Sequence, residues 1–149
     1  MTEIVLPSHT NQIGTIFGGQ IMAWIDVAAA ISATRHARAI CVTASIDALH
    51  FVAPARLGNA ICLFASVNYT HRTSMEVGVH VESEDGLSGT RAHIATAYLT
   101  FVALDAAGKP REVPPVIPET KEEKRRFEEA KLRRGARLAL KTRLQNQPR

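Results

Sequence analysis

Hydrophobic positions change their period along this chain, and the changes mark out its architecture. Residues 19–37 are apolar on nearly every side, with Ile21, Met22, Trp24, Ile25, Val27, Ala28, Ala29, Ala30, Ile31 and Ala33. This run predicts a helix, and a helix hydrophobic nearly all round is enclosed by other structure. Arg35, His36 and Arg38 fall at its end, where cations suit the negative pole of the helix dipole. Beyond residue 40 the pattern turns to strands. Residues 41–51 are rich in Val, Ile, Thr and Phe. In 60–71, Ile61, Leu63, Ala65, Val67 and Tyr69 alternate with polar or small residues, and in 74–83 Met75, Val77, Val79 and Val81 keep a strict period of two. A long strand follows over 90–104. The turn clusters at 54–59, 84–86 and 105–110 carry Gly, Pro, Asn and Asp. Connections of hairpin length predict antiparallel pairing. One apolar helix followed by four such strands is an α+β arrangement, most simply a sheet curled around the helix.

The two ends read differently. Residues 1–10 are short and extended, leading into a polar loop with Gly14, Gly18 and Gly19. At the other end Pro114, Pro115 and Pro118 form an exit that closes a domain over 1–118. Residues 119–149 read as a charged helical extension. Its Glu122–Arg126 and Glu129–Arg133 spacings support a helix by about 0.2–0.5 kcal/mol each. Phe127, Leu132, Leu138, Leu140 and Leu144 do not fall on one clean stripe, so a solvated helix, dispensable for chemistry, is the expectation.

Composition narrows the function classes. A chain of 149 residues is long enough for one domain with a real core. No apolar run reaches the length of about 18 residues that reads as a membrane span. The first residues, Met1 to Pro7, have neither a basic start nor a long apolar core, so no export signal is read there and the cytoplasm is the expected compartment. Cys41 and Cys62 are then most simply free, buried thiols. The net charge of +4 comes mostly from Lys and Arg beyond Pro118. Interspersed glutamates, and Phe127 as the lone aromatic there, weigh against nucleic-acid binding.

The chemistry concentrates in residues 11–26. Asn11 opens a loop that passes through Gly18-Gly19 into the apolar helix, and that helix carries one carboxylate, Asp26. An acid among apolar residues is costly unless it is paired or used. A glycine-entered helix also points free N–H groups at whatever lies before it. Acid, amide and N–H groups together are parts for activating water and holding an oxyanion. The six histidines show no metal-ligand spacing. No GxSxG, P-loop or GxGxxG is present, which argues against a serine hydrolase and against a nucleotide cofactor. No cofactor and no metal is expected.

Three blocks resemble the hotdog-fold acyl-CoA thioesterases of the cytosolic acyl-CoA hydrolase type. They are Asn11-x-x-Gly14-x-x-x-Gly18-Gly19-x-x-Met22-x-x-x-Asp26, Thr43-Ala44-Ser45-Ile46-Asp47-x-x-x-Phe51-x-x-Pro54-x-x-x-Gly58, and Val67-x-Tyr69-x-x-Arg72-Thr73-Ser74-Met75-Glu76-Val77. A weaker fourth runs from Phe101 to Pro110 and on to Val113-Pro114. Asn59, His50 and His9 depart from the usual pattern without touching Asn11 or Asp26. The resemblance implies a hotdog fold and hydrolysis of acyl-CoA to a fatty acid and coenzyme A. It implies Asp26 as general base or nucleophile, with Asn11 supplied by the partner protomer. Gly18 and Gly19 become the oxyanion-hole candidates, and Arg72, Thr73 and Ser74 the contacts to coenzyme A. A homo-oligomer follows, a hexamer built as a trimer of hotdog dimers, with no membrane. The competing readings are a non-catalytic acyl-CoA-binding or regulatory module and a hotdog hydratase, whose histidine would precede or lie on the helix; here His50 follows it.

Overall fold

The computed structural model describes residues 1–148. A short strand β1 (Thr2–Ile4) and one 3₁₀ turn (Pro7–His9) lead to helix α1 (Gly18–Ala37). Four strands follow, β2 (Ile40–Ile46), β3 (Ala60–His71), β4 (Ser74–Glu84) and β5 (Arg91–Leu104), and then helix α2 (Lys121–Gln145). All pairings are antiparallel, in the order β1-β3-β4-β5-β2. The strand that follows α1 therefore crosses to the far edge beside β5 instead of pairing with the next strand. The predicted 41–51 strand ends at Ile46. Its last five residues turn back over the start of α1 to bring Phe51 against Gly18. A Cβ on Gly18 would lie 3.0 Å from the Phe51 ring, so any larger residue there would push the ring back.

The period-two residues of β4 fill the core. Met75, Val77, Val79 and Val81 are fully buried, and they face α1 together with Ile94, Leu99 and Phe101 of β5. α1 touches all four long strands, which is the curled sheet the alternation implies. The enclosure of α1 is incomplete within one chain, contrary to the expectation from its all-round apolar character. Ile21, Trp24, Ile25, Ala28, Ala29 and Ala33 are buried, but Met22, Val27 and Ile31 are exposed. The physical reason is that one five-stranded sheet covers one side of a helix. The open side continues into the free edge at β2, where Ile40 and Val42 are also exposed. Cys41 and Cys62 are free thiols, and partial burial pushes the Cys41 thiol up.

α2 is helical as expected and starts at a capping box. Thr120 accepts from the Glu123 N–H at 3.1 Å, and Glu123 accepts from Thr120 N–H at 3.0 Å and Glu119 N–H at 2.8 Å. These N–H groups hold the Glu123 carboxyl below the usual carboxylate range. Thr120→Ala should cost about 1 kcal/mol of helix stability, read as faster amide exchange over the first turn of α2.

The leucines of α2 are exposed, but the helix is more than a solvated arm. Ala130 is completely buried and Phe127 meets the Tyr69 ring edge-on at 5.1 Å. Arg133 lies 3.9 Å from Glu129, its predicted partner, but only 2.8 Å from Glu76 of β4. Glu76 is 3 % exposed and also accepts from Asn68 Nδ2 at 3.2 Å. Gly78 lies beside this group, and a Cβ there would come within 2.6 Å of Asn68 Nδ2. Gly78→Ala should therefore displace Asn68 and weaken the contact of α2 with the sheet, visible as a lower melting temperature.

Candidate active site

Asp26 sits in the third turn of α1, on the flank that faces β2. It is partly exposed rather than sealed in the core. Its one side-chain partner is Thr43 of β2, whose hydroxyl donates to Asp26 Oδ1 at 2.6 Å. The other oxygen, Oδ2, makes no hydrogen bond to the described residues. Thr43 lies next to an irregularity in the β2–β5 ladder, between Thr43 and Ser45. There the pairing shifts from Thr43–Phe101 to Ser45–Thr100. A bulge of this kind bends a strand and re-aims its side chains. A 17-residue separation between helix and strand gives no local signal of this contact, so the sequence alone does not single out Thr43.

Asn11 organises its own loop. Its Oδ1 accepts from Ile13 N–H at 3.1 Å and Thr15 N–H at 3.2 Å, and its Nδ2 donates to Thr15 Oγ1 at 2.8 Å. Gly14, at φ 77°, supplies the left-handed residue that closes the turn. An amide has two N–H groups, so one remains to donate. Gly18 and Gly19 open α1 behind Phe17, and no side chain caps them. Phe17 O takes the N–H groups of Gln20 and Ile21, leaving those of Gly18 and Gly19 without a partner among the described residues. Gly19 has nothing within 4 Å of a would-be Cβ, so its approach is open.

Gly18, Gly19 and Asp26 lie on one helix and do not converge within one chain. Asp26 stands eight residues beyond Gly18, about 12 Å along the axis at the usual helical rise. The chain does bring a different group to the Asp26 end of the sheet. Arg72 and Thr73 form the two-residue turn between β3 and β4, with His71 paired to Ser74. Ser74 pairs with Val102, which pairs in turn with Val42, the neighbour of Thr43. The turn therefore lies level with Thr43, two strands away, or roughly 10 Å across the sheet. It is fixed by Thr73 O accepting from Ala103 N–H and Arg72 O from Val113 N–H. Arg72 takes φ 53° and its guanidinium is in no ion pair among the described residues.

The remaining polar groups have structural partners. Asp47 accepts from Arg137 at 2.7 Å. His80 and His93 stack on adjacent strands, rings 4.6 Å apart and 6° from parallel. His80 bonds Glu82 at 3.0 Å and His93 bonds Thr96 at 2.9 Å. No group of three metal-ligating side chains occurs among the described residues. His50 lies exposed in the segment after β2, neither before nor on α1, where a hydratase would place its histidine.

A five-stranded antiparallel sheet curled on one half-wrapped helix defines a hotdog fold, and that helix bears one singly held carboxylate. Comparisons with known proteins agree: the family model of the thioesterase superfamily matches residues 13–90. The chain is 44% identical over 122 residues to the uncharacterized acyl-CoA thioester hydrolase YkhA of Bacillus subtilis, covering 82% of this chain and 71% of that protein. The crystal structure of an apo-hexameric acyl-CoA thioesterase superposes with a TM-score of 0.91 at 46% identity, over 99% of this chain and 92% of that one. An acyl-CoA hydrolase from Staphylococcus aureus, solved with butyryl coenzyme A, coenzyme A and coenzyme A disulfide, gives 0.90 at 41% identity, over 97% and 88%. This chain belongs to the thioesterase superfamily, among its hotdog acyl-CoA thioesterases. The Staphylococcus aureus enzyme has also been solved with an asparagine, an aspartate or a threonine replaced by alanine. Those three residues are spaced fifteen and seventeen apart, the same spacings as Asn11, Asp26 and Thr43 here.

Proposed function

We propose that this protein hydrolyses acyl-CoA thioesters to the free acid and coenzyme A, with Asp26 as the group that activates the attack. The observation that carries this reading is the Thr43–Asp26 pair. One carboxylate oxygen is held at 2.6 Å and the other is left for chemistry. As a base, Asp26 takes a proton from water while the water oxygen bonds to the thioester carbon; the C–S bond then breaks and the thiolate leaves. As a nucleophile, its free oxygen attacks the same carbon, the C–S bond breaks with departure of the thiolate, and water then hydrolyses the mixed anhydride to the free acid and the regenerated carboxylate. Both routes need an ionised carboxylate fixed in direction. The leaving thiolate is already a good one, so modest acid–base help suffices.

The negative charge that develops on the carbonyl oxygen needs donors placed in advance. The unpartnered N–H groups of Gly18 and Gly19 and the spare amide hydrogen of Asn11 are suitable in kind. The separation of Gly18 and Gly19 from Asp26 along α1 supports a site built from two protomers, each giving its acid to the other's amide. The open flank of α1 and the exposed β2 edge supply an apolar surface for that pairing. Three such dimers would form the hexamer, an assembly that the hexameric relatives support. Arg72, with Thr73 and Ser74, is assigned to the phosphate and pantetheine portion of the substrate. The cytosol is the proposed compartment. Residues 1–118 form the catalytic unit in this reading, and 119–149 extend it.

Release of coenzyme A across a panel of acyl chain lengths, measured beside binding of the same panel, tests the activity. Hydrolysis of at least one acyl-CoA is expected. Tight binding of acyl-CoA with no thiol released from any of them would make the protein a binding module instead.

A further inference from the structure

β2 is the least supported long strand of the sheet. It pairs on one side only, with β5, and all of its residues but Cys41 are exposed. Yet Thr43 on this strand is what holds Asp26. Within one chain the position of the acid therefore depends on what holds β2: its free edge is the one proposed to meet the partner protomer, and at its far end the support is α2. Asp47, the first residue past the strand, donates its N–H to Tyr98 O at 3.0 Å. Its carboxylate accepts from Arg137 Nη1 at 2.7 Å, and the same Nη1 lies 3.4 Å from Glu76 Oε2. Arg133, one turn earlier, grips Glu76 through Nη2 at 2.8 Å and through Nε at 3.2 and 3.3 Å. Its guanidinium lies 3.6 Å over the Tyr98 ring. One face of α2 thus grips β4 through Glu76, β5 through Tyr98 and the end of β2 through Asp47.

We infer that α2 is a brace for the active site, and that Arg137 is a positioning residue which sets the Thr43–Asp26 pair by anchoring Asp47. The inference rests on the reading of Asp26 as the activating group. Charge-assisted bonds of this kind fix direction as well as distance, and Glu76 is too buried to find water as an alternative partner. Asp47 follows the end of β2, four residues from Thr43, with the bulge between them. A change in tension at Asp47 is felt where the ladder is already irregular. The extension from residue 119 then positions the catalytic unit from outside it and is not a dispensable arm.

A double-mutant cycle separates positioning from plain stabilisation, because residues acting through one another do not add. The variants are Arg137→Ala, Thr43→Ala and the pair together, assayed as assembled protein for kcat and KM on one acyl-CoA. Arg137→Ala should lower kcat about tenfold with KM within twofold, and Arg137→Lys should restore most of it. In the Thr43→Ala background the same substitution should have no further effect, since the link it acts through is already cut. Effects that multiply in the pair would overturn the inference, as would an Arg137→Ala enzyme with wild-type kcat. If Arg137→Ala does not fold, Asp47→Asn enters the same cycle with the same expectation. Wild-type rates in both Asp26→Asn and Thr43→Ala would instead refute the proposed site itself, a distinct result.

Discussion

Asp26→Asn will fold and assemble normally and lose about 10²–10⁴ of its turnover, the usual cost of removing a principal acid–base group. The asparagine side chain keeps the shape of the aspartate, and its Oδ1 still accepts from the Thr43 hydroxyl, so the local geometry at α1 and β2 persists. What it cannot do is take a proton from water or attack a carbonyl. Because Asp26 is partly exposed and pairs with one neutral hydroxyl, little folding stability is tied to its charge. The loss is therefore expected in kcat, with circular dichroism and sedimentation unchanged. Thiol release from acetyl-, butyryl- and palmitoyl-CoA measures it; a folded Asp26→Asn protein as fast as wild type on all three would make Asp26 structural.

The second large effect is on stability. Glu76→Ala removes the centre of the charged cluster beneath α2, where Arg133, Arg137 and Asn68 all direct donors at one buried carboxylate. Breaking a buried pair by removing one partner costs about 3–5 kcal/mol. The lower end applies here, because Arg133 and Arg137 are partly exposed and can turn to water, to Glu129 or to Asp47. For a chain of this size that corresponds to a melting temperature lower by roughly 6–12 °C. Hydrogen exchange should show the loss concentrated in α2, with the α1–β4 core retaining its protection. A Glu76→Ala protein that melts like wild type would mean that the cluster contributes nothing net. Glu76→Gln, which keeps an acceptor for Asn68, should cost less.

What the sequence made legible follows from which signals are local. The period-two valines of β4 and the alternation in β3 marked those strands to within a residue, because each obeys its own pattern and a turn ends it. The order of the strands was not legible. β2 follows α1 in sequence but lies at the edge beside β5, and no local pattern distinguishes that crossing from a simple meander. The all-round apolar character of α1 was read as full enclosure. One face is open in the chain, because a partner surface and an internal core look alike in composition. Within the candidate site, Asn11, Asp26, Gly18 and Gly19 stood out by residue type against their surroundings. Thr43 did not, since a threonine in a strand is ordinary and only the fold brings it to Asp26. The docking of α2 was hidden for a related reason. Arg133 had a suitable partner at Glu129 by helical spacing, and its stronger bond to Glu76 spans 57 residues of sequence.

The central claim is that Asp26 of one protomer works with Asn11 of another, and mixing inactive variants tests it most directly. Asn11→Ala and Asp26→Asn proteins are each purified, unfolded together, refolded at equal ratio and compared with each alone, mixed assemblies being verified by mass. In a two-fold symmetric pair with the acid and amide drawn from different protomers, half of the dimers are mixed and each holds one intact site. About a quarter of all sites should then be restored, and thiol release should rise to about that fraction of wild type. If mixed assemblies form and activity stays at the level of the two parents, acid and amide do not meet across the interface, and the composite site is wrong.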